Sequence, residues 1–291
     1  MSGTCPFWLL PLFFFFAAVA PAAAQDAAAG VSPAPGVRAA GMGGAFTAVA
    51  DDASAAYWNP AGLATAGFFS LVVDRNAGNR GSSASLIAIG TPPLGFSYYR
   101  TATGDRSNGR NSLIAHHAGV TVLQSLGGRL TVGGTLKLVH GNVRSGSGAE
   151  GSTTKFDMDL GVMASGEAGR IGVTVHNVTE PDFAGPGATV TLARQVRAGV
   201  SLNVGSMTSV AADVDLAGDR RQAAVGTEVH PVRTGWLRGG LHWKTTGGEA
   251  APVGSVGGSY AIYGSALADA QVSFGSDKGD RGWGIGLRFI F

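Results

Sequence analysis

From residue 67 onward, apolar and polar side chains take turns along the chain. In 129–139, Leu130, Val132, Gly134, Leu136 and Leu138 fall on one face, and Arg129, Thr131, Gly133, Thr135 and Lys137 on the other. A period of two marks a β-strand, whose side chains point alternately to opposite sides. Phe156, Met158, Leu160 and Val162 oppose Lys155, Asp157, Asp159 and Gly161 in the same way. Val196, Ala198, Val200, Leu202 and Val204 oppose Gln195, Arg197, Gly199, Ser201 and Asn203. Val210, Ala212, Val214 and Leu216 oppose Ser209, Ala211, Asp213 and Asp215. A slip of one residue would exchange the two faces, so register is strongly specified. The pattern predicts 14 strands, at about 67–75, 82–90, 94–102, 111–124, 129–144, 153–165, 170–179, 193–204, 207–216, 222–230, 234–244, 253–260, 265–274 and 282–291. Alternation is weakest in 82–90 and 253–260.

The connections between these strands alternate in character. Thr103–Arg110, Ser145–Ser152, Glu180–Leu192, Thr245–Pro252 and Gly275–Arg281 are polar and longer. Thr91–Pro93, Ser125–Gly128, Gly166–Gly169, Gly205–Ser206 and Pro231–Arg233 are tight. A soluble β-sandwich shares the alternation but does not need this asymmetry. A bacterial outer-membrane barrel does, with short periplasmic turns facing longer outer loops. An even strand count then places both chain ends, and the segment preceding the strands, on the short-turn side.

Composition agrees. The 291 residues include 47 Gly, 45% hydrophobic and only 14% charged residues, a glycine share roughly double and a charge share well below the usual. Beyond residue 24 no apolar run approaches the ~18–20 residues of a membrane helix. A net charge of +2 is too small to argue for nucleic acid. A soluble cytosolic enzyme, a helical membrane protein and a basic DNA binder are all disfavoured. The expected fold is all-β, a 14-stranded antiparallel transmembrane β-barrel over 67–291.

Residues 1–24 read as a cleavable signal peptide: an apolar stretch from Phe7 to Ala20, then Ala22, Ala23 and Ala24 before Gln25. An uncleaved anchor helix is the alternative, which the short run and Pro11 disfavour. The single cysteine, Cys5, leaves with the signal, so disulfides, thiolate metal sites and cysteine nucleophiles are excluded from the mature chain. The protein is expected in the bacterial outer membrane, surrounded by its lipid.

Residues 25–66 lack the alternation. Gln25 to Pro35 is an Ala/Gly/Pro-rich lead-in. From Gly36 small residues dominate, so this backbone can lie close against another. Asp51 or Asp52 suits a cap for a short helix over 53–57. Asn59 suits a second cap, with Pro60 at the first helical position and Gly62 as an early stop. Gly41-Met42-Gly43-Gly44 invites a phosphate-loop reading, but it lacks the preceding strand, the following Lys-Ser/Thr and the βαβ context.

The run Gly36–Ala64 resembles the PorV/PorQ branch of the FadL-type outer-membrane protein superfamily. The likeness is carried by Arg38, Gly41-Met42-Gly43-Gly44-Ala45-Phe46, Ala48-Val49-Ala50-Asp51-Asp52-Ala53-Ser54 and Tyr57-Trp58-Asn59-Pro60-Ala61-Gly62-Leu63. It implies that 25–66 is an N-terminal hatch plugging the lumen, with Gly41, Gly43, Gly44, Asp51, Asp52, Asn59, Pro60 and Ala61 forming its motif. The rest of the chain resembles the superfamily by pattern only. The resemblance further implies uptake of a hydrophobic molecule from an outer-face site, a shift of the hatch and lateral exit through a kinked wall. Gly90, Pro92, Pro93 and Gly95 are the residues suited to such a bend.

With apolar faces turned to lipid, the inward charges are Asp74, Lys137, Lys155, Asp157, Asp159, Arg197, Asp213, Asp215, Glu228, Arg238, Lys244, Asp269 and Arg288. Seven acids against six bases make paired networks, with one another and with Arg38, Asp51 and Asp52, rather than the one-sign ring of an ion-selective pore. His116 and His117 point to opposite faces, and His140, His176, His230 and His242 are scattered over four strands without ligand spacing. No cofactor, metal or catalytic residue is expected, and no enzyme activity. Trp283, Ile285, Leu287, Phe289 and Phe291 share one face of the last strand, and a terminal aromatic resembles the signal read by barrel-assembly machinery. The leading function is passive uptake of small hydrophobic molecules through the plugged barrel. The alternative is a PorV/PorQ-like component of a type IX-like secretion system, acting through contacts with secretion-system subunits.

Overall fold

The computed structural model describes residues 34–291 apart from 104–111, 146–147, 219, 247–248 and 277–280. The expected signal segment 1–24 and the lead-in to residue 33 lie outside the described residues. Fourteen strands close into one antiparallel barrel, and two more make a separate hairpin. The first seven are β1 (Ser70–Gly78), β2 (Ser83–Thr91), β3 (Leu94–Thr103), β4 (Ser112–Leu126), β5 (Leu130–Arg144), β6 (Glu150–Ser165) and β7 (Gly169–His176). The hairpin follows, β8 (Asp182–Gly185) and β9 (Ala188–Thr191). The wall resumes with β10 (Gln195–Val204), β11 (Thr208–Ala217), β12 (Arg220–Val232), β13 (Gly235–Thr246), β14 (Glu249–Tyr263), β15 (Ala266–Gly275) and β16 (Gly282–Ile290). Each wall strand pairs with the next, β7 with β10, and β1 with β16 from Ser70↔Ile290 to Gly78↔Gly282. Both weakly alternating segments are full wall strands, because neighbours on either side supply the ladder that their own pattern only hints at.

The barrel is turned inside out for most of its height. Leu136, Leu138, Phe156, Leu160, Val200, Val214 and Ile285 are exposed on the outside, while Lys137, Asp157, Asp159, Arg197, Asp213 and Arg288 are buried within. Toward the upper rim, opposite the carboxyl terminus and on the side where the Ala34 carbonyl accepts from Asn76 Nδ2, the polarity reverses. The described start of the chain therefore does not lie on the short-turn side expected for both ends. On β5, Val139 and Val143 face inward and are buried, while His140 and Arg144 face outward. β4 switches at the same level, with Leu113 and Ala115 buried inside and His116 outside. Lipid thus suits the apolar band and water the wall above it.

Besides register shifts near the turns at Val229/Val232 and Ala261/Tyr263, the ladder is cut short at β7, and not where Gly90, Pro92, Pro93 and Gly95 led us to expect. β2 and β3 keep unbroken register from Ser83↔Ala102 to Thr91↔Leu94. The two glycines instead make room for Leu63: a Cβ at Gly90 would lie 2.5 Å from its Cδ1 and one at Gly95 2.7 Å from its Cδ2. β7 pairs only with Leu160–Ser165 of β6 and ends at His176, short of the expected residue 179. Beyond it the Val178 N–H still donates to the Met158 carbonyl at 3.0 Å. Asn177 and Glu180 then take left-handed φ values of 52° and 49° and turn the chain off the wall. The hairpin β8–β9 packs against β5 and β6, burying Phe183 with Leu113, Ala115, Val139 and Val143. Gly141 lies directly beneath the ring, since a Cβ there would be 2.2 Å from Phe183 Cδ1.

Phe183→Ala is therefore expected to cost the hairpin about 3–5 kcal/mol while leaving the wall intact. Amide exchange should accelerate across 182–191 alone, and the folded barrel should keep its mobility on an unheated denaturing gel.

Candidate functional site: the plug and the lumen wall

Residues 34–66 lie inside the barrel and are almost wholly buried. They form α1 (Val37–Gly41), α2 (Ala55–Trp58) and a 3-10 helix (Pro60–Thr65) joined by turns. Asp52, not Asp51, supports the second helix: its Oδ1 accepts from the Ser54 N–H at 2.9 Å, and Ser54 itself is the cap residue. Asn59 caps the 3-10 helix, accepting from the Ala61 N–H at 3.2 Å with Pro60 at the first position. Gly62 does not stop that helix, which runs on to Thr65. Its role is contact, because a Cβ there would sit 2.2 Å from the Ala50 carbonyl oxygen.

No core forms within so short a segment, so the wall completes it. Met42, Phe46, Trp58 and Leu63 cluster with Leu123 of β4, Ala211 of β11 and Ala224 of β12. Close approach needs bare backbone on both sides. Met42 and Gly43 lie on Gly240 of β13, where a Cβ would come within 2.1 Å of the Met42 carbonyl carbon. Asn59 lies on Gly161 of β6, and its Nδ2 donates to the Thr47 carbonyl at 3.0 Å and the Val162 carbonyl at 3.2 Å. Ala61 is buried beside Pro60, and Gly41 and Gly44 flank the Met42 contact.

Three charged networks lie in the lumen, and the first ties plug to wall by ion pairs. The largest centres on Arg38, whose Nε and Nη2 donate to the Glu228 carboxylate of β12 at 2.8 and 2.7 Å. Its Nη1 meets Asp51, and Asp52 at 3.2 Å. Arg238 of β13 reaches Glu228 at 2.5 Å and Asp269 of β15 at 3.3 Å. Arg288 of β16 binds Asp269 at 2.6 Å and Asp52 at 3.4 Å, and Arg170 of β7 reaches Asp51 at 3.3 Å. Burial by itself would raise the Asp52 carboxyl, but Arg38 and Arg288 hold it below the usual carboxylate range. In the second network Lys137 meets Asp157 at 2.9 Å and Asp159 at 2.6 Å, with His176 3.4 Å from Asp159. In the third, Arg197 pairs with Asp215 at 3.0 Å and lies over the Trp58 ring, 4.6 Å from its centroid.

Two inward acids serve plug backbone rather than cations. Asp74 accepts from the N–H groups of Gly36 and Val37 at 3.3 and 3.2 Å. Asp213 accepts from those of Phe46 and Thr47 at 3.0 and 2.8 Å. Lys155 stands exposed near the upper rim and joins none of the networks, and the side chain of Lys244 lies outside the described residues. Trp283 and Phe291 are exposed on the outside, and the Phe291 ring lies 6.1 Å from that of Phe69 at the lower rim. Phe289, on the same strand, is partly exposed.

Sequence reasoning missed a file of rings through the lumen. His117 stacks on Tyr99 at 4.2 Å; Tyr99 meets Tyr57 edge-on at 5.3 Å, Tyr57 meets Trp58 at 5.4 Å, and Trp58 meets Phe46 at 5.8 Å. His176 stacks on Tyr57 at 5.4 Å. The inward parity of Tyr99 and His117 was available, but their meeting with Tyr57 depends on how the plug sits. Below the plug a cavity of about 480 Å³ opens, lined among others by Arg38, Asp51, Arg170, His230 and Trp236. Among the described residues no three potential metal ligands gather.

The arrangement has counterparts of known fold. The monoaromatic hydrocarbon channel CymD superposes with a TM-score of 0.68 at 14% identity, covering 87% of this chain and 96% of that one. The Ralstonia pickettii toluene transporter TbuX gives 0.65 at 17%, covering 88% and 98%. A Pseudomonas aeruginosa FadL homologue gives 0.65 at 11%, covering 91% and 100%. At these identities the likeness is one of fold. A family model described as F plasmid transfer operon, TraF, protein matches residues 119–215, which run from β4 to β11 and exclude the plug. No curated protein matches the sequence.

Removing Arg38 takes one of two arginine partners from each of three carboxylates, two of them on the plug. Arg38→Met is expected to weaken docking by about 3–5 kcal/mol, the cost of breaking a buried ion network from one side. Adding Glu228→Gln should recover part of that loss, read as protease resistance across 36–66. Because docking depresses the Asp52 pKa, its contribution is present at neutral pH and lost as pH falls below about 4. The same digestion, run in steps of falling pH, checks this.

Proposed function

We propose that the chain is an exported protein of the bacterial outer membrane through which small hydrophobic molecules, aromatic hydrocarbons among them, pass by diffusion. The file of rings carries this reading. It leads from the apolar cluster around Phe183, Leu113 and Val139 at the upper rim to Trp58 and Phe46 of the plug. Aromatic faces offer contact to flat apolar solutes without holding them by hydrogen bonds, which suits passage better than capture. The named relatives of the same fold include a hydrocarbon channel and a toluene transporter, which supports the substrate class. In this reading residues 1–24 direct export, 25–66 form the hatch, and the upper rim faces outside. The hairpin lies over the outer approach, the hatch moves to open the way, and Trp283, Phe289 and Phe291 present the last strand to barrel-assembly machinery. We do not adopt the secretion role: the relatives sharing the fold carry channel and transporter names.

Two variants test it in cells whose own hydrocarbon channels are deleted. The intact chain should speed uptake of labelled toluene, and Tyr99→Ala should slow it several-fold without admitting sugars. Deleting 36–64 should leave a folded barrel that leaks small polar solutes. No acceleration by the intact chain, together with unchanged permeability after the deletion, would overturn the proposal.

A further inference from the structure

Inside the barrel acids and bases are matched, but on its outer face one stretch carries bases alone. The strand register sets Arg75 of β1 beside Ser85 of β2, Ser85 beside Arg100 of β3, Arg100 beside His116 of β4, and His116 beside His140 of β5. Arg75 and His140 are exposed, and Arg100 and His116 partly so. With strands ~4.8 Å apart, the row spans roughly 19 Å. It is the first polar row above the apolar band, for the row beneath it holds Ile87, Tyr98, Leu138 and Phe156. It also lies at the level where β4 and β5 reverse polarity.

The rows directly above and below contain no acid on β1 to β6. Glu150, two rows higher, is already bound by Arg144 at 3.0 Å. Neighbouring hydroxyls hold the row in place. Tyr98 Oη and His116 Nδ1 are 2.7 Å apart, Thr154 Oγ1 and His140 Nδ1 2.9 Å, and Arg100 Nη1 donates to Ser83 Oγ at 3.4 Å.

Basic side chains at the edge of hydrocarbon reach the headgroup layer at little cost, and a guanidinium grips phosphate oxygens in pairs. The geometry points to this row as a docking site for the phosphate groups of a phosphorylated glycolipid of the outer leaflet, its acyl chains lying on the apolar band below. Ile87, Leu138 and Phe156 would receive the chains, and the arginines and histidines the headgroup. The inference rests on the outer-membrane placement proposed above and not on what the lumen passes.

Native mass spectrometry of the full chain in mild detergent tests it. The probes are a diphosphorylated lipid-A-type glycolipid and the same lipid with its phosphates removed. The native chain should retain the first and lose the second. Arg75→Gln with Arg100→Gln should lower retention by about tenfold or more, and the corresponding Lys pair should fall between. Equal retention of the two lipids by the native chain would overturn the inference, whatever the variants do. So would unchanged retention by a Gln variant that still migrates as a folded barrel. Toluene uptake measured on the same preparation separates the two ideas. Phosphate-dependent retention without uptake defeats only the transport reading, and uptake without such retention defeats only the lipid site.

Discussion

Arg38 sits where the plug meets the wall, and its guanidinium is shared by Asp51 and Asp52 of its own segment and Glu228 of β12. A barrel of fourteen strands encloses more space than its inward side chains can fill. The remainder has to be occupied by chain that makes no sheet and has too few large side chains for its own core. That chain is held by apolar contact where the wall is bare glycine, and by charge where the wall carries arginine. Four arginines and four carboxylates close the network, the plug's one excess carboxylate being matched by the wall's one excess arginine. Such an arrangement is specific in geometry more than it is strong, since burying the ions cancels much of their attraction. Docking of this kind is compatible with release.

The long strands β4 to β6 show the two solvents of the molecule side by side. Their lower parts put leucine, valine and phenylalanine outside and charge inside. Their upper parts do the reverse, with Val139 and Val143 inward beneath Phe183. The outer hairpin can pack there because the inner wall has become apolar at that height. The aromatic file begins just below, so the lumen passes from aliphatic to aromatic to charged surroundings on the way down.

Much of the wall was legible in the sequence, because a half-buried strand must alternate whichever side faces lipid. Parity alone set Lys137, Asp159, Arg197 and Arg288 inward. Their partners were not legible, since a partner on another strand is chosen by register and a partner on the plug by how the plug lies. The hairpin β8–β9 escaped notice because four-residue strands, broken by Gly185 and Gly187, are too short to show a period. Gly90 and Gly95 were read as a bend when they are a recess for Leu63. A glycine in a strand marks close approach as readily as distortion, and only the approaching side chain tells which. Gly62 misled in the same way, serving contact with Ala50 rather than ending a helix.

The partners of Arg38 lie far along the chain. Glu228 is 190 residues away, and Arg288, which shares Asp52, is 236 residues from it. The residues that hold the first part of the molecule are thus made last. Until β16 has met β1, the plug has neither a closed ring to enter nor its full set of arginines to bind. The amino-terminal segment thus finds its complete docking surface only once the wall has closed around the place it occupies. Its wealth of alanine and glycine lets its backbone settle against the bare glycines of the closed wall.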